Sequence, residues 1–462
     1  MKSKYTLVRV RATRRFFFPA IVSAAFLMAF FAPKAEAQII TWNGTVNNLA
    51  NGAWGTAGNW TGSNIPDTSA EIASLSKDWL GTTTNTPSFS LGANRTINAL
   101  LFEDTGASSD RGGFINTGST LTLAGSNPFI QTNNSIALNC GLAWGSTTWT
   151  KNGAATLILN ATNAGSGIIN MDAGIIDCGA AEALGTSTPT WTSGDTGRVR
   201  FSGGKTYANN FLINPGVSGF SGQGLLGHTG AGGVATITGT ITFNGMPGAG
   251  GAILGSTTVG QELRIEGPNN GTAGALSHRD GRVIYVGGGA ISGSANHTGV
   301  AIIGANNGYP QGLSPLLGAS GNASFDLNGF NQAIAGLTFG FTAQAHRGTL
   351  SVGATTLTLN GNLTTSGTTP AHEINATAGG TLALGATART FTINDSTALN
   401  DLTINNALIT GAGLIKQGTG NLVMNGVSSA PALTLGAGSL TLAPAAANTL
   451  TVPALDIAAA RT

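Results

Sequence analysis

The chain has 462 residues, of which 70 are Gly, 41% are hydrophobic and only 9% are charged, with a formal net charge of +2. That apolar share excludes wholesale disorder, since disordered chains are poor in Leu, Ile and Val and usually rich in charge. The near-neutral balance also excludes nucleic acid and anionic membrane as electrostatic partners, because both need clustered Lys and Arg.

The first 37 residues have the three regions of an export signal. Lys2, Lys4, Arg9, Arg11, Arg14 and Arg15 form a charged head, Pro19 to Phe31 an apolar run, and Ala35-Glu36-Ala37 a signal-peptidase site. The apolar run of 13 residues is shorter than the roughly 20 that an anchor needs, so cleavage after Ala37 and a mature start at Gln38 are predicted. Thr13-Arg14-Arg15-Phe16-Phe17 also fits the twin-arginine pattern, which leaves two export routes open. The signal carries seven of the 21 basic residues and one of the 19 acids, so the mature chain has a net charge of about −4. No transmembrane anchor is expected in that mature chain.

Residues 38–115 form a predicted N-terminal cap with the first strands. Trp42, Trp54 and Trp60 cluster there, as large aromatics do where a stack of strands needs a cover.

From residue 116 to 462 a short block recurs: a Gly turn, small residues, Leu-x-Leu, then Asn or Gly. It appears as GSTLTLAG, GAATLILN, GNASFDLNG, GATTLTLNG, GGTLALG, GNLVMNG and GSLTLA, with anchors at Leu121, Leu157, Phe325, Leu357, Leu382, Leu422 and Leu440. Where the series is dense the anchors are 36, 32, 25, 40 and 18 residues apart. Gaps of 18 to 25 are read as one turn of a solenoid, and 36 and 40 as two. Alternation puts both residues of Leu-x-Leu on one face of a strand. Strands of three to five residues cannot bury a core as isolated hairpins, but stacked as rungs about 4.8 Å apart they form an apolar column. The fold class expected is therefore all-β, a parallel β-helix or related solenoid; an immunoglobulin-like sandwich is the alternative, with longer strands and more aromatic core residues.

Two stretches share a longer pattern: WTKNGAATLILN (Trp149 to Asn160) and GLIKQGTGNLVMNG (Gly413 to Gly426) both read apolar, x, Lys, x, Gly, then a strand ending in Asn. The first continues as NAGSGIINMDAGIIDCGAAEALG (Asn163 to Gly185). This series resembles the autotransporter-associated β-strand repeat, also called the passenger-associated transport repeat. FDLNGFNQAIAGLTF (Phe325 to Phe339) and the Trp-containing stretch Thr41 to Ser74 are similar to other segments of that family. The resemblance is clearest at residues 149–185, 321–361 and 411–442. It implies a right-handed parallel β-helix at or beyond the cell surface, with a structural, adhesive or passenger-transport role. Implied partners are surface polysaccharide or outer-membrane and export machinery. Autotransporters carry a C-terminal barrel, whereas this sequence ends about 20 residues after Leu442, so either a short secreted relative or an incomplete chain is expected.

Chemistry is sparse. SHRDGRVIYVGGG concentrates His278, Arg279, Asp280 and Arg282, the candidates for a carbohydrate-active β-helix enzyme; the competing reading is a charged exposed turn at Asp280-Gly281. Asp172 with Asp177, and Glu262 with Glu266, are the other carboxylate pairs, and Arg264 between the last two suits a surface salt-bridge cluster. His228, His278, His297, His346 and His372 have no metal-ligand spacing, and no cofactor motif is present. Cys140 and Cys178 lie 38 residues apart, about two turns, which predicts two separate buried thiols without a bridge. Lys151 and Lys416 are expected to be solvent-facing turn residues that keep the stack soluble.

Overall fold

The computed structural model describes residues 37–43, 52–77, 87–104, 112–216, 224–229, 232–245, 253–255, 261–278, 281–318, 321–341, 345–366, 371–427, 429–443 and 451–457. The predicted signal peptide, apart from Ala37, lies outside the described residues, as do Arg279 and Asp280. Short strands dominate the rest, and every ladder between them is parallel, while the described helices are two single 3₁₀ turns, Ala57–Asn59 and Thr61–Ser63. The chain is a β-solenoid, as expected from the spacing of its Leu-x-Leu blocks.

Each coil contributes up to three strands. Trp149–Asn152, Thr156–Leu159 and Ala164–Gly165 make one coil, and the next begins with Ile168–Met171 and Ile175–Cys178. Trp149 pairs with Ile169 and Leu157 with Ile176, so successive coils sit in register. The two-residue strand Ala164–Gly165 extends a 4-stranded sheet. The other sheets have 27, 11 and 4 strands among the described residues. The 27-stranded one arises because the 10-residue strand Asn269–His278 pairs with both Ile241–Asn244 and Ile253–Gly255, merging two stacks.

Inside, alternation does what the pattern dictates. Ile136, Leu157, Ile176, Val199, Leu226 and Leu254 follow one another through the ladder, all buried. Fully burying each such side chain contributes about 1.5–3 kcal/mol, repeated at every rung, which is why strands this short persist. Outside, Asn375, Asn405 and Asn425 stack so that each amide donates to the one below, at 2.7 and 2.9 Å.

The anchor gaps need correction. Leu422 does stack on Leu440, 18 residues on, and Leu357 on Leu382, 25 on. The longer intervals do not mark two coils: Leu382 belongs to the column of Leu357 and Ile409, whereas Leu422 lies between Leu402 and Leu440 on another face. Likewise Leu121 stacks on Leu142, not in the column of Leu157. All faces of the coil need half-buried strands, so all use Leu-x-Leu, and distance between blocks mixes coil length with face.

Towards the N-terminus Trp42, Trp54 and Trp60 are fully buried and meet edge to face, with centroids 4.9 Å apart for Trp42–Trp60 and 4.8 Å for Trp54–Trp60. Trp54 and Trp60 donate their indole N–H groups to the carbonyls of Pro66 and Trp54. At the other extreme the inward positions are uncovered: Leu442, Leu455 and Ile457 are 37%, 53% and 64% exposed, where Met424 one rung earlier is buried.

Candidate functional site

Of the four candidates in the charge-rich stretch, His278 and Arg282 are among the described residues, and these two do not come together. His278 closes the strand Asn269–His278 and is buried, stacked between Leu254 and His297. Arg282 opens the next strand, Arg282–Tyr285, with its side chain outward, and its Nε donates to Glu262 Oε1 at 2.7 Å on the preceding rung. The two therefore lie on opposite sides of the solenoid wall. Sequence proximity implied that these two would be neighbours; alternation and the change of strand separate them.

Glu262 bonded to Arg282 also corrects the expected three-residue pattern. Arg264 pairs with Glu266 alone, at 2.7 Å, so the acids flanking Arg264 are held by two different arginines. Asp177 accepts two bonds from Arg200, at 2.6 and 2.7 Å, while Asp172 is exposed. Burial raises the Asp177 carboxyl above its usual range despite that arginine. Arg347 and Glu373 form a further cross-rung pair. These are exposed or half-buried structural pairs, each contributing about 0–1 kcal/mol.

Among the described residues the wall carries shallow surface depressions. One of about 240 Å³ is lined by Ala154, Ala173, Gly174, Ile175, Thr196 and Arg198, and one of about 270 Å³ includes Asn322, Ser324 and Arg347. Neither gathers two carboxylates. Among the described residues no group of three or more His, Cys, Asp and Glu could hold a metal ion.

The chemistry that the fold does gather is internal. Lys151 and Lys416, expected in solvent, are both 0% exposed. Each is the third residue of its strand and points inward, taking an apolar place: Lys151 between Ile130 and Met171, Lys416 between Phe391 and Leu435. The four methylenes fill the column and the amine reaches the corner. Lys151 Nζ donates to the carbonyls of Asn152 (2.6 Å), Gly153 (3.0 Å) and Ala173 (3.1 Å). Lys416 Nζ donates to Gln417 (2.9 Å), Gly418 (2.8 Å) and Ala437 (3.0 Å). Three acceptors match the three donors of an ammonium, so each lysine ties its own corner to the next coil's. Burial lowers Lys151 to about 7 and Lys416 to about 8, with Asp172 and Asp401 opposing.

The corner glycines belong to the same device. Gly174 has φ 74° and Gly438 φ 69°, and a Cβ at either would approach the lysine Nζ within 2.7 or 2.8 Å as well as crowd backbone carbonyls. The motif Lys-x-Gly thus encodes a buried staple.

A second internal cluster surrounds His297. Its Nδ1 lies 3.1 Å from His278 Nδ1 and its Nε2 3.0 Å from the Tyr309 hydroxyl. Tyr285, Tyr309 and Phe325 meet the ring edge-on or tilted, and Gln332 exchanges hydrogen bonds with the Tyr309 backbone. Burial, with His278 alongside, holds His297 well below the usual imidazole range. The signal that could have found the pair is its spacing: 19 residues is one coil, as for Leu159 and Cys178. His372 is separate, accepting the Gly348 N–H at Nδ1 (3.1 Å) and stacking on Phe339.

Cys140 and Cys178 are both free and buried. Cys178 stacks on Leu159, which stacks on Leu138, two residues before Cys140, so the thiols belong to coils two apart.

Comparison of the chain with protein-family models, with curated proteins and with solved structures returned no match.

Proposed function

We propose that this chain is an exported, non-enzymatic surface or extracellular module with a structural or adhesive role, resembling the passenger of an autotransporter. The observation that supports this most is the use made of its recurring polar motif. The only charged residue repeated in the pattern, the lysine of Lys-x-Gly, is spent on stapling the scaffold, and of the richest polar stretch His278 faces the interior while Arg282 faces out. The outer wall presents stacked Asn, Thr and Ser, a surface suited to display and to hydrogen-bonding with sugar hydroxyls rather than to acid–base chemistry.

The test has two parts. The full chain, expressed in a double-membraned bacterium, is fractionated and its N-terminus sequenced; recovery outside the cytoplasm beginning at Gln38 is expected, and cytoplasmic retention with an intact leader would sink the export reading. The purified protein is then incubated with a panel of acidic and neutral polysaccharides. Binding without release of unsaturated or reducing ends supports an adhesive module, while release abolished by Arg282→Ala would replace it with a carbohydrate-active enzyme.

A further inference from the structure

We propose that the stacked His278–His297 pair is an acid-triggered joint, at which the solenoid opens locally when the pair takes up protons.

The geometry carries this. The two Nδ1 atoms are 3.1 Å apart, so one ring donates and the other accepts a single shared N–H. His297 also uses Nε2 on the Tyr309 hydroxyl, so both of its nitrogens are engaged by neutral groups. The elements packed against it offer His278 and Tyr285 from the rungs below, and Leu317, Tyr309 and Phe325 from above and beside. Among the described residues the charge that acts on His297 is that of His278, which lowers its proton affinity further. A first added proton places a cation in a dry interior. A second leaves both Nδ1 atoms as donors facing each other, and their bond is lost. Opening the rung lets water solvate both rings, so acid favours the open form.

The sign follows from linkage. His297 binds protons less readily folded than unfolded, so its contribution is fully present above about pH 6.5 and is lost as pH falls below it. Two pH units below that value, one such histidine can favour the open form by up to about 100-fold.

The experiment is hydrogen exchange on the full chain at pH 7 and 4.5, corrected for intrinsic rates. Amides of Ile291–His297 and Gly312–Leu317 are expected to exchange about 10- to 100-fold faster at pH 4.5, while those of Thr156–Leu159 hold. The double variant His278→Leu/His297→Leu matches the leucines above and below, Leu254 and Leu317, and is expected to lose this response. His372 lies on a different rung, so its own acid response reports on residues 348–376 and is read separately. Uniform exchange at both pH values, or an acid response that survives in the double variant, would overturn the proposal. Should that variant not fold, exchange at the imidazole C2 positions of the wild type decides: titration of either ring near pH 6.5 with the rung still protected overturns it, and protonation only on opening supports it.

Discussion

Lys151 and Lys416 occupy the same place in two coils separated by more than half the chain, and each ammonium is held by three backbone carbonyls, two from its own corner and one from the next coil. A lysine inside an apolar column is tolerated because the stem packs as a hydrophobe and every N–H finds an acceptor. The two staples therefore join neighbouring coils where strand ladders end.

Replacing Lys151 with Met keeps the stem and removes the donors. The carbonyls of Asn152, Gly153 and Ala173 then lose a partner in a closed corner, at about 1–3 kcal/mol. Long repeat arrays do not unfold in one step, so the measurement is local hydrogen-exchange protection of Trp149–Asn152 and Ile168–Met171. Protection equal to wild type would show that the staple contributes nothing. Lys416→Met should act alike and independently, since the two sites share no neighbours.

The same lysine predicts a pH dependence of the same sense as the histidine pair but in a higher pH window, because both groups bind protons less readily folded than unfolded. Lys151 falls to about 7 in the folded chain against 10.5 unfolded, so between these values the unfolded state binds more protons. Local stability of this rung should rise as pH climbs from about 7 towards 10, and be flat below. The comparison is wild type against Lys151→Met at pH 7 and 9; a difference that does not change with pH argues against the depressed value.

Gly174→Ala should be worse than an ordinary corner substitution. Its φ is positive and its Cβ would crowd the Gly153 carbonyl and the Lys151 amine together. A loss of at least about 1 kcal/mol is expected, seen as faster exchange in the same two strands. Gly194→Ala is the control, with φ 90° but open space around the added carbon. If both variants behave alike, backbone strain alone accounts for the effect and the crowding is irrelevant.

Both thiols should be inert in the native chain. Burial raises Cys140 to about 11 and Cys178 well above its ordinary value, leaving little thiolate at neutral pH. Iodoacetamide is expected to label neither cysteine until denaturant is added and both thereafter. Rapid native labelling of Cys178 would mean that its rung opens.

In the asparagine ladder, Asn405→Ala removes one bond to Asn375 and one to Asn425. The ladder is partly exposed, so water replaces much of what is lost, and about 0.5–1.5 kcal/mol is expected from exchange in Leu402–Asn405.

The sequence by itself determined that the chain would stack. Gly corners, Leu-x-Leu alternation and recurrence at one-coil spacing allow little else, because strands this short bury their apolar face only against a copy of themselves. The separation of the two cysteines by two rungs was legible for the same reason. Which face each Leu-x-Leu block serves was not, since all faces need the same half-buried pattern, and so Leu382 and Leu422 read as one series. The direction of Lys151, Lys416 and His278 was not legible either. Charge in a sequence is read as exposure, and only the tertiary structure supplies the three carbonyls or the second imidazole that make burial tolerable. That decision rests on partners one coil away, 19 to 22 residues along the chain, whose approach is a property of the wound solenoid and not of any local segment.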